Sequence, residues 1–192
     1  MFQELRASFS LLALFVLITG IGYPFLVTGI GKSFFPYQAK GSLIEKNGQI
    51  IGSELIGQNF SDDKYFHPRP SAAGDGYDAG NSSGSNLAPT STDLLKTITE
   101  RVAELRKNGD MRPIPVDLVT ASASGLDPDI SIAAATFQAE RVASARGISV
   151  QQVHDLITLN MTPRLFGVLG ENHVNVLKIN RALDALSAAA VP

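Results

Sequence analysis

From Ala7 to Gly31 the chain carries no charged side chain, and the centre of this run, LLALFVLITGIGYPFLVTGIG, is Leu, Ile, Val and Phe with small residues between them. A helix needs about 20 such residues to cross the hydrocarbon core of a bilayer. The run is long enough to span with some tilt, and Pro24 near its far end is tolerated inside a membrane, where it kinks a helix. A cleaved signal peptide would instead show a charged start, an apolar core of about 7 to 15 residues and a small-x-small cleavage site. The start, MFQELRASFS, sets Arg6 against Glu4, and no A-x-A follows the apolar run. Residues 9–31 therefore read as one uncleaved transmembrane helix, with residues 1–8 before it and a domain over 32–192 after it. Arg6 lies on one side of the helix and Lys32, Lys40 and Lys46 on the other. Lys and Arg counts alone favour a cytoplasmic carboxyl side, but the rule weakens before a domain of about 160 residues, so charge leaves the orientation open.

The run ends in TGIGKSFF, whose Gly31-Lys32-Ser33 is the tail of a phosphate-binding loop. Such a loop needs another glycine five positions before the second, so that successive N–H groups curl around phosphate, and it must open a helix. Leu26 occupies that position, and Phe34, Phe35 and Pro36 follow. No nucleotide site is expected in this chain.

A net charge of −2 and a pI near 5.9 over 192 residues fit one anchor and one domain of ordinary size. Without clustered Lys and Arg a nucleic-acid partner is not expected. The absence of cysteine removes disulfides, thiol nucleophiles and thiolate metal sites.

Past the anchor, GSLIEKNGQIIGSELIG predicts a β-hairpin over about Gly41–Ile56, with Asn47-Gly48 as a turn that needs positive φ. A polar loop follows from Phe60 to Ser91, far longer than most connections, and its Tyr65-Phe66-His67-Pro68-Arg69-Pro70 cluster argues for a packed rather than a disordered segment. Thr90 or Ser91 then caps a helix through Leu94, Leu95, Ile98, Val102 and Leu105 to a stop at Asn108-Gly109. Pro115–Ser122 reads as a strand. Asp127-Pro128 reads as the start of a second helix ending at Gly147, Ser149 with Gln152 caps a third from Val150 to about Met161, and a last helix covers about Val176–Ala188. With strands early and helices late, the expected class is a single N-terminal transmembrane helix plus one α+β domain.

Several patterns imitate chemistry. Gly80-Asn81-Ser82-Ser83-Gly84 matches G-x-S-x-G, with His154 and His173 downstream as bases. A nucleophile elbow joins strand to helix, however, and Gly-Asp-Gly-Tyr-Asp-Ala precedes Ser82. Asp75, Asp78 and Asn81 hint at a cation loop, but Tyr77 breaks the alternation of oxygen ligands and no closing Glu follows. His67, His154 and His173 lack zinc-ligand spacing. No catalytic residue and no metal site is expected, and a membrane-anchored serine hydrolase built on Ser82 stands as the alternative reading.

ITGIGYPFLVTGIGKSFFPYQAKGSLI, GSELIGQNF, YFHPRPS, SGSNLAPTS, DLVTASASGLDPDIS, RVASARG and VNVLKINRALD occur in this order along almost the whole chain. In them the chain resembles the C subunits of the high-affinity potassium-transporting P-type ATPase, the Kdp complex (the KdpC family). The chain departs from the family's pattern at Tyr77-Asp78-Ala79-Gly80, Gln138-Ala139-Glu140-Arg141 and Gly170-Glu171-Asn172-His173. The resemblance implies an accessory, non-catalytic subunit of the bacterial inner membrane, with residues 1–8 cytoplasmic and an extracytoplasmic α+β domain. It further implies assembly with a channel-like potassium-translocating subunit and an ATP-hydrolysing P-type pump subunit. ATP, Mg and potassium would be handled by those partners, and no cofactor would be bound here. The subunit would support assembly of the complex and act either as a catalytic chaperone that raises ATP affinity in the pump subunit or as a modulator of potassium entry.

Two sets of residues are candidates for partner contact. Gly20 and Gly22 permit close helix approach and Tyr23-Pro24 marks a kink, so this face of the anchor is expected to pack on partner membrane helices or on lipid. In the domain, Tyr65, Phe66, His67, Arg69 and the Ser85-Asn86-Leu87 turn are interface candidates, because aromatic and Arg side chains favour interface centres; internal packing of the loop is the competing reading.

Overall fold

The computed structural model describes residues 2–46, 48–107 and 109–189, and the chain divides into two compact units, Met1–Ile51 and Gly52–Pro192. Asn47 of the expected hairpin turn and Asn108 of the expected helix stop lie outside the described residues.

The first unit is built on a helix that runs continuously from α1 (Phe2–Leu17) through a π turn (Ile18–Gly22) into α2 (Tyr23–Phe34). Among the described residues, Glu4–Phe34 is the one helix long and apolar enough to cross a membrane; its 31 residues extend roughly 46 Å at helical rise, beyond the hydrocarbon thickness of about 30 Å. The π turn has a local cause. Pro24 has no N–H to give to Gly20, and its ring crowds that carbonyl, so the turn before it widens and the Tyr23 N–H bonds the Ile18 carbonyl five residues back. Gly31-Lys32-Ser33 lies inside α2, where Ser33 Oγ donates to the Gly29 carbonyl at 2.9 Å, a helical geometry with no phosphate cradle. A short α3 (Pro36–Ala39) follows, and β1 (Leu43–Lys46) pairs with β2 (Gln49–Ser53) inside the predicted hairpin limits, with Gly48 at φ +75°.

The second unit is a three-stranded antiparallel sheet against which helices pack. Its strands are β3 (Asp129–Ser131), β4 (Met161–Thr162) and β5 (His173–Asn175), in the order β3-β5-β4. Its helices are α4 (Thr92–Leu105), α5 (Ile132–Arg146), α6 (Val150–Leu159) and α7 (Val176–Ala189). Val174 on the central strand faces Ile130 on one side and Met161 on the other, and both Val174 and Ile130 are buried. The core gathers Phe66, Val142, Val153, Ile157, Ile179 and Leu183 around them. The buried face of α5 is mostly alanine, at Ala134, Ala135, Ala139 and Ala143, which lets α6 and the sheet approach its backbone closely.

Helix ends follow the predicted chemistry where a capping residue was visible. Ser91 accepts from the Leu94 N–H, and Ser149 with Gln152 forms a full capping box. At Gly147, φ +65°, the Ile148 N–H reaches back to the Ala143 carbonyl at 3.1 Å and closes α5 in a Schellman motif.

Two segments correct the sequence reading. Pro115–Ser122 is not a strand: Val116–Leu118 forms a 3₁₀ turn that aims the buried Asp117 carboxylate at Ser131, accepting from its N–H at 2.8 Å and its hydroxyl at 3.1 Å. The second helix does not begin at Asp127-Pro128, which instead lead into β3. The Pro128 carbonyl accepts from Val176 N–H at 2.9 Å, and Ser131 is the true cap, accepting from Ala134 N–H. The domain's sheet is thus interleaved with late helices rather than placed early.

Gly125 sits where three loop segments cross. At φ +66°, a Cβ there would stand 2.6 Å from both the Ala73 nitrogen and the Ser83 carbonyl oxygen. Gly125→Ala is expected to destabilise the domain by more than about 2 kcal/mol, from backbone strain and clash together. Thermal unfolding of the detergent-solubilised full chain measures this, and an unchanged midpoint would show that the crossing can spread.

Candidate functional site

The long loop is held by side-chain amides rather than by a strand. Asn180 on α7 accepts from the Phe66 N–H at 2.8 Å and donates to the Phe66 carbonyl at 2.9 Å. Gln138 on α5 does the same for His67, accepting at 2.8 Å and donating at 3.1 Å. A carboxamide offers one acceptor and one donor side by side, matching the pair a neighbouring strand would present. Both amides are buried, so these bonds form away from water, where leaving backbone groups unpaired costs most.

The flanking residues are tied down by cations. Arg141 donates to the carbonyls of Asp63 and Tyr65 and to Gln138 Oε1, at 2.6, 3.0 and 2.7 Å. Arg146 donates to the Lys64 carbonyl at 2.6 Å and pairs with Asp184 at 2.8 Å, its guanidinium 5.0 Å above the Tyr65 ring. The Tyr65 hydroxyl donates to the same Asp184 at 3.1 Å, and its ring lies 5.4 Å from Phe60. Arg69 pairs with Asp127 at 2.9 Å; its buried Nε has no hydrogen-bond partner among the described residues. The Tyr77 hydroxyl donates to the Arg69 carbonyl at 2.6 Å, and burial pushes its phenol up to about 12.

These contacts place each candidate residue. Phe66 is fully buried, so its ring belongs to the core and cannot meet a partner while the loop is in place; this corrects its reading as an interface side chain. Tyr65, His67 and Arg69 are half-buried and bonded to other parts of the same unit, whereas Ser85, Asn86 and Leu87 are exposed, with Asn86 at φ +53°. In the anchor, a Cβ built on Gly20 would meet nothing within 4 Å and one on Gly22 only the Leu17 carbonyl oxygen at 3.7 Å.

No nucleophile elbow surrounds Ser82. It lies in irregular loop, and its hydroxyl donates to the Ser124 carbonyl at 2.9 Å. Asp78 uses its side chain to accept from Gly80 N–H at 2.9 Å, turning the loop on itself. Arg69, Asp117, Asp127, Asp129 and His173 line an open cleft of about 450 Å³. Burial pushes the Asp129 carboxyl up, with His173, 3.7 Å away, opposing that rise. The sequence reading marks Gln138 only as a departure from the family's pattern and does not single out Asn180, since a lone amide on a helix carries no spacing signal; only their inward positions among apolar residues on α5 and α7 hint at their role.

Residues 5–185 match the family described as KdpC: K+-transporting ATPase, c chain. The chain is also similar to curated proteins named Potassium-transporting ATPase KdpC subunit. That of Mycobacterium tuberculosis (strain ATCC 25618 / H37Rv) is 54% identical over 187 residues, 96% of this chain and 99% of the relative. That of Gemmatimonas aurantiaca is 54% identical over 192 residues, covering 99% and 96%. That of Rhodopseudomonas palustris (strain TIE-1) is 52% identical over 198 residues, covering 96% and 98%.

Two measurements check the loop. Asn180→Leu keeps the volume and strands the Phe66 N–H and carbonyl, and is expected to cost about 2 to 4 kcal/mol in denaturant unfolding; a loss under about 1 kcal/mol would mean water replaces the amide. Burial, and then the Arg141 cation, hold the His67 imidazole below its usual value of 6.5. The unfolded chain therefore takes up the proton first, and His67 withdraws stability as pH falls through and below 6.5. The melting temperature is expected to drop less between pH 8 and 5.5 in His67→Gln than in the parent chain, and equal drops would contradict this.

Proposed function

Because this chain belongs to the KdpC family, the c chains of K+-transporting ATPases, we propose that it serves as an accessory, non-catalytic subunit of an ATP-driven potassium importer. The observation that carries this is that one family match covers the apolar helix and the α+β unit together, so the anchored arrangement as a whole belongs to the family. The helix sits in the bacterial inner membrane, with the folded unit on the extracytoplasmic side. Its partners are a channel-like potassium-translocating subunit and an ATP-hydrolysing P-type pump subunit, which handle potassium, ATP and Mg. The helix around Gly20, Gly22, Tyr23 and Pro24 packs on their membrane helices, a role its unobstructed glycines support. Tyr65, His67, Arg69, Ser85, Asn86 and Leu87 form the domain's part of the contact.

Such a subunit contributes assembly first. Any effect on ATP affinity has to pass as coupling free energy through the membrane subunits, because a domain outside the cytoplasm cannot touch cytoplasmic ATP. Modulation of potassium entry, in contrast, needs no transmission across the membrane.

The reading predicts that a strain lacking this chain loses growth and uptake at micromolar potassium and regains both with the full chain. Affinity purification from potassium-starved cells in mild detergent should retain a pump subunit and a channel-like subunit in fixed ratio. Normal uptake without the chain would remove the proposal.

A further inference from the structure

The π turn before Pro24 leaves a main-chain carbonyl of the anchor without a donor. In that turn the Tyr23 N–H reaches five residues back to the Ile18 carbonyl, so it is not given to Thr19, the residue four back that an α-helix would pair with it. The residue five positions after Thr19 is Pro24, which has no N–H to give. Nor does the side chain close the gap, because the Thr19 hydroxyl donates backward to the Phe15 carbonyl at 2.7 Å. The Thr19 carbonyl is thus an acceptor with no hydrogen-bond partner among the described residues.

Its depth makes this costly. Thr19 lies midway along Glu4–Phe34, about 22 Å from either end at helical rise, and so stays inside a hydrocarbon layer of about 30 Å however the surplus length is shared between the two sides. Lipid tails offer no donor, and an unpaired main-chain carbonyl there costs far more than one facing water. Gly20, next in the chain, has open space where a side chain would stand, which lets another helix come close to this backbone.

We propose that the Thr19 carbonyl accepts a hydrogen bond from a hydroxyl, carboxamide or ring N–H side chain on a membrane helix of another chain of the potassium-transporting ATPase. The inference rests on the accessory-subunit reading. A second copy of this chain, paired in parallel, would bring to that depth its own Thr19 hydroxyl, which is already given to Phe15. A directional bond of this kind also sets the register of two membrane helices, which apolar packing alone defines less sharply.

The test uses the full chain made by cell-free synthesis and assembled with the whole ATPase in membranes. Gly20→glycolic acid turns the Thr19 carbonyl from amide to ester, a weaker acceptor, without changing helix shape or phase. It also removes one N–H, so Leu14→leucic acid, an ester inside the regular part of α1, serves as the control. In parallel, Tyr23→benzoylphenylalanine is irradiated and the adduct identified by mass. The expected results are about a fivefold loss of the co-purified ATPase chains in the Gly20 ester relative to the Leu14 ester, and an adduct on another ATPase chain's membrane helix that carries Ser, Thr, Asn, Gln, His, Tyr or Trp within the bilayer. If the parent chain retains the other ATPase chains, the proposal is overturned by equal retention of the two esters, by an adduct helix with no such donor, by adducts only with copies of this chain or with lipid, or by no adduct, and the accessory-subunit reading stands. If the parent chain itself retains no ATPase chain, that reading falls and the proposed bond with it.

Discussion

Two buried carboxamides hold the second unit together. Asn180 and Gln138 each give the long loop the donor and acceptor that a sheet neighbour would have given, and they do so for consecutive residues, Phe66 and His67. Because the loop is fixed at this point, Phe66 can close the core, and Tyr65, held from below, can carry Arg146 on its ring. Downstream, Arg69 meets Asp127 and Tyr77 meets the Arg69 carbonyl only if the strip between them runs in this register. An irregular segment is thereby as firmly placed as a strand.

The arrangement also explains why so much glycine and serine gathers in the loop and in the Thr120–Asp127 stretch that lies on it. Close crossing of two irregular backbones leaves no room for Cβ atoms, as at Gly57 against Asp127, Gly84 against Ala123 and Gly125 against Ala73 and Ser83. Serine hydroxyls fill the hydrogen bonds that no ladder supplies: Ser71 donates to the Gly125 carbonyl at 2.6 Å, and Ser82 to Ser124 at 2.9 Å. The serine that resembles a nucleophile is one of these stitches.

What could be read from the sequence follows the range of the forces involved. The anchor was legible because its signal is compositional and continuous, and α4, α6 and α7 because local caps and an apolar stripe mark them. The α+β class followed from these. The three-residue strands β3 and β5 and the two-residue β4 were not legible, since period-2 alternation needs more residues to register and their pairing partners lie far along the chain. Pro115–Ser122 misled because its β-branched composition is set by packing, while the Asp117–Ser131 contact decides its conformation. In the long loop, the aromatic cluster marked a packed segment, yet nothing local distinguishes a buried Phe66 from a half-buried Tyr65 beside it.

The widened turn before Pro24 has a geometric consequence for the anchor. An inserted residue advances the helical phase by about 100°, so positions that share a face in Phe2–Leu17 do not continue onto the same face in Tyr23–Phe34. The anchor is one continuous helix whose side-chain pattern changes phase at Ile18–Gly22. A stripe of side chains spaced at 3.6 residues on one side of that turn therefore continues on the other side about one residue out of step.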